Sequence, residues 1–217
     1  MSKKWYIYGA GGLGVETIDT LYEAMSFSGG DQYECEFVVD KPNSEAYVGF
    51  PIVDFCDALP GSRITIAVGE PHLRERLYNK VIETDLRLTS VISPKSNVSN
   101  LANIGDGSII AVFCSIQATA MIGQNVSVNT SSVIGHDTVV SDNAVISSMV
   151  NLGGAAFVGA GTFIGMGALI KEGVKIGKSS IVGMGSVVYK DIPDNVIAVG
   201  NPARVVRRNE QNKVFGK

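Results

Sequence analysis

The chain has 217 residues, a formal net charge of −3 and three cysteines, Cys35, Cys56 and Cys114, at unrelated spacings, with a pI near 5.4. An acidic balance without a basic stripe interleaved with aromatics argues against nucleic acid as a partner, and the cysteines form no disulfide framework. Two histidines, His72 and His136, are too few for a three-histidine zinc site in one chain; with no signal peptide and no long apolar run, a cytoplasmic protein without metal or membrane insertion is expected.

The first predicted strand is residues 3–8, followed by the turn Gly9-Ala10-Gly11-Gly12-Leu13-Gly14 and a helix to about residue 25. Glycines there let the backbone approach a phosphate, and the free amides of a helix start favour an anion. A second strand, 35–39, runs into Asp40, where an acidic group commonly meets a ribose hydroxyl. Strands at 63–68 and 86–91 around a helix at 71–83 complete one parallel α/β unit, with His72 as a solvated helix residue. A dinucleotide spans two such halves, so a single nucleotide or nucleotide diphosphate fits better than NAD.

From Val98 to Val188 every sixth residue is Val, Ile or Leu, sixteen in succession. Four residues after most of them stands a small side chain, such as Ser132, Thr138 or Ala144, and glycine often follows directly, as at Gly135 and Gly153. Neither a helix nor an ordinary strand has that period, whereas a solenoid does. Three hexads close a triangular coil of about eighteen residues, and at about 4.8 Å per coil the stack is on the order of 25 Å tall. The expected fold is therefore α/β plus all-β. It comprises a small Rossmann-like domain over 1–92, a left-handed parallel β-helix of hexapeptide repeats over 93–199, and a C-terminal extension over 200–217.

Within the repeats the conspicuous polar pair is His136 and Asp137, just past the inward Ile134. Imidazole takes a proton near neutral pH, and a neighbouring carboxylate orients it and raises its basicity, so His136 reads as a general base. One coil above, a backbone amide near Gly154 is placed to stabilise an oxyanion. Cys114 occupies a small inward position and reads as a buried structural thiol.

The loop Tyr8-Gly9-Ala10-Gly11-Gly12, the strand end Ala67-Val68-Gly69, the run 129–136, the hexads and the closing Asp191-Ile192-Pro193-Asp194-Asn195 … Gly200-Asn201-Pro202-Ala203-Arg204 carry a resemblance over nearly the whole chain. It resembles the bacterial nucleotide-sugar N-acetyltransferases of the UDP-bacillosamine pathway, related to sialic acid O-acetyltransferases, in the hexapeptide-repeat acyltransferase superfamily. The resemblance implies a homotrimer with active sites between subunits and acetyl-CoA as cosubstrate. It also implies acetylation of the 4-amino group of a nucleotide-linked 4-amino-4,6-dideoxy sugar, UDP-linked, for a surface glycan. By the same resemblance His136 is the base, Asp137 enhances it and Asn129 orients it. Gly9, Gly11, Gly12, Leu13, Asp40 and Gly69 face the nucleotide-sugar, while Val145, Gly154, Met166 and Met184 face acetyl-CoA. This sequence departs from its relatives at Leu13 and Val145, where they carry histidine, and at Asp137, where they carry glutamate. One or two of Lys171, Lys175, Lys178, Lys190, Arg204, Arg207 and Arg208 are expected to meet coenzyme phosphates. Two other readings are a sialic acid O-acetyltransferase, which has no need of a nucleotide pocket, and a non-catalytic trimeric ligand-binding scaffold.

Overall fold

The computed structural model describes residues 3–211 and 213–215. The front of the chain is a twisted sheet: β1 Lys4–Tyr8, β2 Glu34–Val39, β3 Ala46–Tyr47, β4 Phe50–Asp54, β5 Arg63–Ile66 and β6 Arg87–Leu88, in the order β3-β4-β2-β1-β5-β6. All neighbours run parallel except the β3–β4 hairpin, which the sequence reading did not contain. Helix α1, Gly12–Ser28, buries Ile18, Leu21 and Met25 on one face of the sheet against Trp5, Ile7 and Phe37. Helix α2, Pro71–Val81, covers the other face with Leu77 and Val81 against Tyr6, Ile64 and Ile66. Pro71 starts α2 at a position where its missing N–H costs nothing, and Gly29 ends α1 in the left-handed region at φ 60°.

The predicted strand at 86–91 is two strands with different allegiances. Leu88 pairs in the front sheet, whereas Val91–Ile92, β7, pairs with Ile109–Ile110 and opens the solenoid stack one strand before Val98. From there the chain winds as a parallel β-helix with three faces. The first face begins at β7 and stacks the two-residue strands at Ile109, Ser127, Val145, Phe163 and Ile181, then Val196–Val199. The second carries those at Asn97, Ser115, Val133, Asn151, Leu169 and Val187. The third carries those at Asn103, Met121, Val139, Phe157 and Lys175. The first face is closed by an antiparallel strand, Arg204–Arg208, an addition the hexads do not announce.

The hexad residues point inward as expected; Ile134, Val140, Ile146 and Leu152 are fully buried. The small positions line the interior as well, and their hydroxyls are satisfied across the coil. Ser132 donates to the Ser147 carbonyl at 2.8 Å and Thr138 to that of Gly153 at 3.1 Å. The frequent glycine after the aliphatic residue has a steric cause. A Cβ on Gly135 would stand 2.6 Å from the Gly154 nitrogen of the next coil.

The two regions meet in a packed seam. Val91 and Ile109 of the first face pack into the cluster beneath α1. On the other side Arg74 of α2 is completely buried and donates to the carbonyl of Asn125 at 3.0 Å, to its side-chain oxygen at 3.0 Å, and to the carbonyls of Ile66 and Val68 at 2.7 and 3.0 Å. Burial lowers the guanidinium's pKa, and these four acceptors stand in for the lost water. Among the described residues no helix is long and apolar enough to cross a membrane.

Candidate active site

His136 and Asp137 form the corner between the second and third faces. Asp137 has φ 58°, the left-handed turn that repeats at this position along the prism. The His136 Nδ1 lies 2.7 Å from Asp137 Oδ2. A carboxylate can only accept, so that ring nitrogen carries the hydrogen, and in the neutral imidazole Nε2 is left with its lone pair. The coil below fixes both residues. The Thr119 hydroxyl donates to Asp137 Oδ1 at 2.6 Å, and the His136 backbone N–H donates to Gln117 Oε1 at 3.2 Å. The Thr119 hydroxyl first, and His136 second, hold the Asp137 carboxyl below the usual range, so it is a carboxylate at neutral pH.

The coil above supplies the rest. A Cβ on Gly154 would fall 2.5 Å from His136 Nε2 and 2.7 Å from Cε1. The imidazole therefore lies against bare backbone, with its basic nitrogen toward the next coil. The neighbouring Ala155 N–H is spent on the His136 carbonyl at 2.7 Å, whereas the Gly154 N–H has no partner among the described residues. A lone-pair nitrogen and an unspent amide thus stand together on an open corner, where the His136 side chain is 64% exposed.

The structure does not bring Asn129 or Val145 to this corner. Asn129 follows a strand of the first face, and its side-chain oxygen accepts from the Ser127 hydroxyl at 2.8 Å. Val145 is buried with Phe163 and Ile181, with Ile197 and Val214 packed against it, so its side chain presents no surface in one chain. Met166 and Met184 stack on the corner between the first and second faces, 42% and 72% exposed. In a triangular section the front domain lies against the first face, opposite the corner that carries His136.

In that front domain, β2 and β5 flank β1 on opposite sides, so the sheet changes direction at the carboxyl ends of β1 and β5, the crevice where such sheets take their ligands. Gly9, Gly11, Gly12 and Gly69 lie in the segments that follow β1 and β5, whereas Leu13 is partly buried against the cluster beneath α1. Gly9 adopts φ 122° and packs on Ala67 and Val68, and Gly14 packs on the Gly9 carbonyl. Gly11 and Gly12 have open space where a side chain would be, and α1 begins without a side-chain cap, leaving its first amides available to an anion. Asp40 is less free than its position suggested. Its Oδ1 takes the Tyr8 hydroxyl at 2.7 Å and the Lys80 ammonium. Burial alone would raise the Asp40 pKa, but Lys80 and Tyr8 together lower it.

A three-faced parallel β-helix of six-residue steps, joined to a small α/β sheet, defines a transferase of the hexapeptide-repeat kind. The model for bacterial transferase hexapeptide (six repeats) matches residues 155–190. PerB from Caulobacter crescentus, solved with CoA and GDP-perosamine, is 31% identical, with 93% of this chain and 96% of that chain covered and a TM-score of 0.84. WeeI from Acinetobacter baumannii AYE superposes with a TM-score of 0.86 at 27% identity, covering 94% and 100%. The GDP-perosamine N-acetyltransferase of Escherichia coli O157:H7 is 29% identical over 135 residues, 60% of this chain and 61% of that relative. The chain belongs to the bacterial hexapeptide transferase family, and its prism is that family's left-handed β-helix.

Proposed function

We propose that the chain is an acetyl-CoA-dependent N-acetyltransferase of a nucleotide-linked amino sugar. The observation that carries this reading is the His136–Asp137–Gly154 corner, with Nδ1 held by the carboxylate and Nε2 beside an unspent amide. The sugar amine attacks the thioester carbonyl, Nε2 of His136 accepts the amine's proton, and the Gly154 N–H donates to the oxygen as it gains charge. The C–S bond then breaks and the thiolate leaves, with no acyl-enzyme needed; Cys114 is buried with its thiol directed at the carbonyl of Asn129, 3.2 Å away. The resemblance favours a UDP-linked 4-amino-4,6-dideoxy sugar, whereas two relatives are named for GDP-perosamine, which moves our first choice to a GDP-linked substrate.

One chain holds its nucleotide crevice and its base on opposite sides of the prism, and the base stands open to water. We propose a homotrimer in which the His136 corner of one subunit meets the corner of Met166 and Met184 and the crevice of its neighbour. That arrangement would also bring a neighbour's Asn129 toward His136. Mass spectrometry of products from a panel of GDP- and UDP-linked amino sugars with acetyl-CoA tests the reaction, and no acetylated product from any of them would refute it. Light scattering tests the trimer, and a fully active monomer would remove the shared site.

A further inference from the structure

From the geometry we infer that Phe215 is a substrate-contacting residue, the aromatic wall on which the base of the bound nucleotide stacks. This rests on the nucleotide-sugar reading above and adds to it the group that holds the base. The ring lies at the crevice where β1 and β5 end: a Cβ on Gly69 would stand 3.6 Å from it. Gly9, in turn, packs on Ala67 and Val68 just before Gly69.

Phe215 is not there as a loose end. Its backbone N–H donates to Glu70 Oε2 at 3.2 Å, and the Val214 N–H donates to both oxygens of the same carboxylate at 3.1 and 2.9 Å. Glu70 precedes α2 in the N-cap position but makes no cap bond with its side chain; its carboxylate serves the tail instead. Hydrogen bonds to a charged acceptor are stronger than neutral ones. Val214 packs on Val145, Phe163 and Ile181, and the Phe215 ring meets Phe163 at 5.7 Å with an interplanar angle of 83°. Held at its backbone and at one edge, the ring is still 60% exposed. A fixed aromatic face beside a phosphate-accepting glycine turn is a platform for a flat heteroaromatic base.

Calorimetric titration of the intact protein with GDP and with UDP tests this. Phe215→Ala should weaken binding of the accepted nucleotide on the order of tenfold or more. Phe215→Trp should retain it, and the KM for acetyl-CoA should not move. Glu70→Ala, which frees the tail, should weaken the same affinity, with no further loss when combined with Phe215→Ala. Unchanged or tighter nucleotide binding by Phe215→Ala would overturn the inference while leaving the proposed function standing. If the unaltered protein binds neither nucleotide, the nucleotide-sugar reading fails and the inference with it.

Discussion

The solenoid and the front domain draw on the same aliphatic residues but hold their shape in different ways. In the solenoid the strands from Val91 to Val188 are two residues long and meet their counterparts eighteen residues away, as Val133 meets Ser115 and Asn151. Position in the hexad settles whether a side chain is inside. In the front domain the four central strands are four to six residues long and inside is decided by which helix covers which face, α1 over Trp5 and Ile7, α2 over Tyr6 and Ile64. A repeat so regular makes its exceptions informative: a polar pair on a corner, with glycine where a Cβ would strike the ring, marks the candidate site. The front domain has no such background, and its ligand crevice has to be found from topology.

The sharpest way to break this comparison is His136→Ala. General-base assistance is typically worth 10²- to 10⁴-fold, so kcat should fall by roughly that factor. The corner side chain is largely exposed, so the melting temperature should stay where it was. Near wild-type turnover with a verified amino-sugar would show that the exception in the repeat is not the base. Mixing this variant with one whose crevice is blocked, Gly12→Asp, should restore about a quarter of wild-type activity if each site takes its crevice and its base from different subunits of a randomly mixed trimer. No recovery would place both in one chain.

Arg74→Met probes the seam between the regions. It leaves the carbonyl and side-chain oxygens of Asn125, and the carbonyls of Ile66 and Val68, without their shared donor, at a cost on the order of 2–4 kcal/mol. The single tryptophan, Trp5, lies in the front sheet. Urea transitions followed by its fluorescence and by far-ultraviolet circular dichroism should coincide in the wild type and separate in the variant. Coincident transitions in both would show that the apolar contact of Val91 and Ile109 with α1 suffices to couple them.

Gly154→Ala tests the steric reading of the corner. The new Cβ would displace the His136 ring, and a displacement near 1 Å costs about 10²-fold in rate. The crowding should also cost about 1–3 kcal/mol of stability, a penalty that disappears in a His136→Ala background because the ring it collides with is gone. Equal destabilisation in both backgrounds would mean the glycine serves the coil and not the histidine.

Most of the prism was legible because each turn repeats the same inward side chain, and adding eighteen to 136 reaches Gly154. Subtracting eighteen from 137 reaches Thr119, which bonds Asp137; the same step taken downward would have found it. Other features have no periodic signature. Arg74 looks like any surface arginine of an amphipathic helix until the solenoid is laid over it. The start of the stack at Val91 was hidden by the continuous run of strand-forming residues from 86. Val145 and Asn129 were placed by resemblance, and the structure puts Val145 on the first face and Asn129 just past a strand of it, away from His136 of their own chain. Phe215 and Glu70 are 145 residues apart, and only the fold brings them together.

The smallest effect is expected from Asp137→Asn. The carboxylate holds Nδ1–H; an amide keeps a hydrogen-bonding side chain without the charge. Turnover should fall by less than in His136→Ala, roughly tenfold. The pH profile is a further test. With Thr119 and His136 holding it below the ordinary carboxylate range, Asp137 is ionised at neutral pH, so any loss of kcat that follows the carboxylate's own protonation should begin only below that range and be absent in Asp137→Asn. Wild-type turnover in Asp137→Asn would mean that the charge is dispensable, and that the corner owes its chemistry to His136 and the Gly154 amide alone.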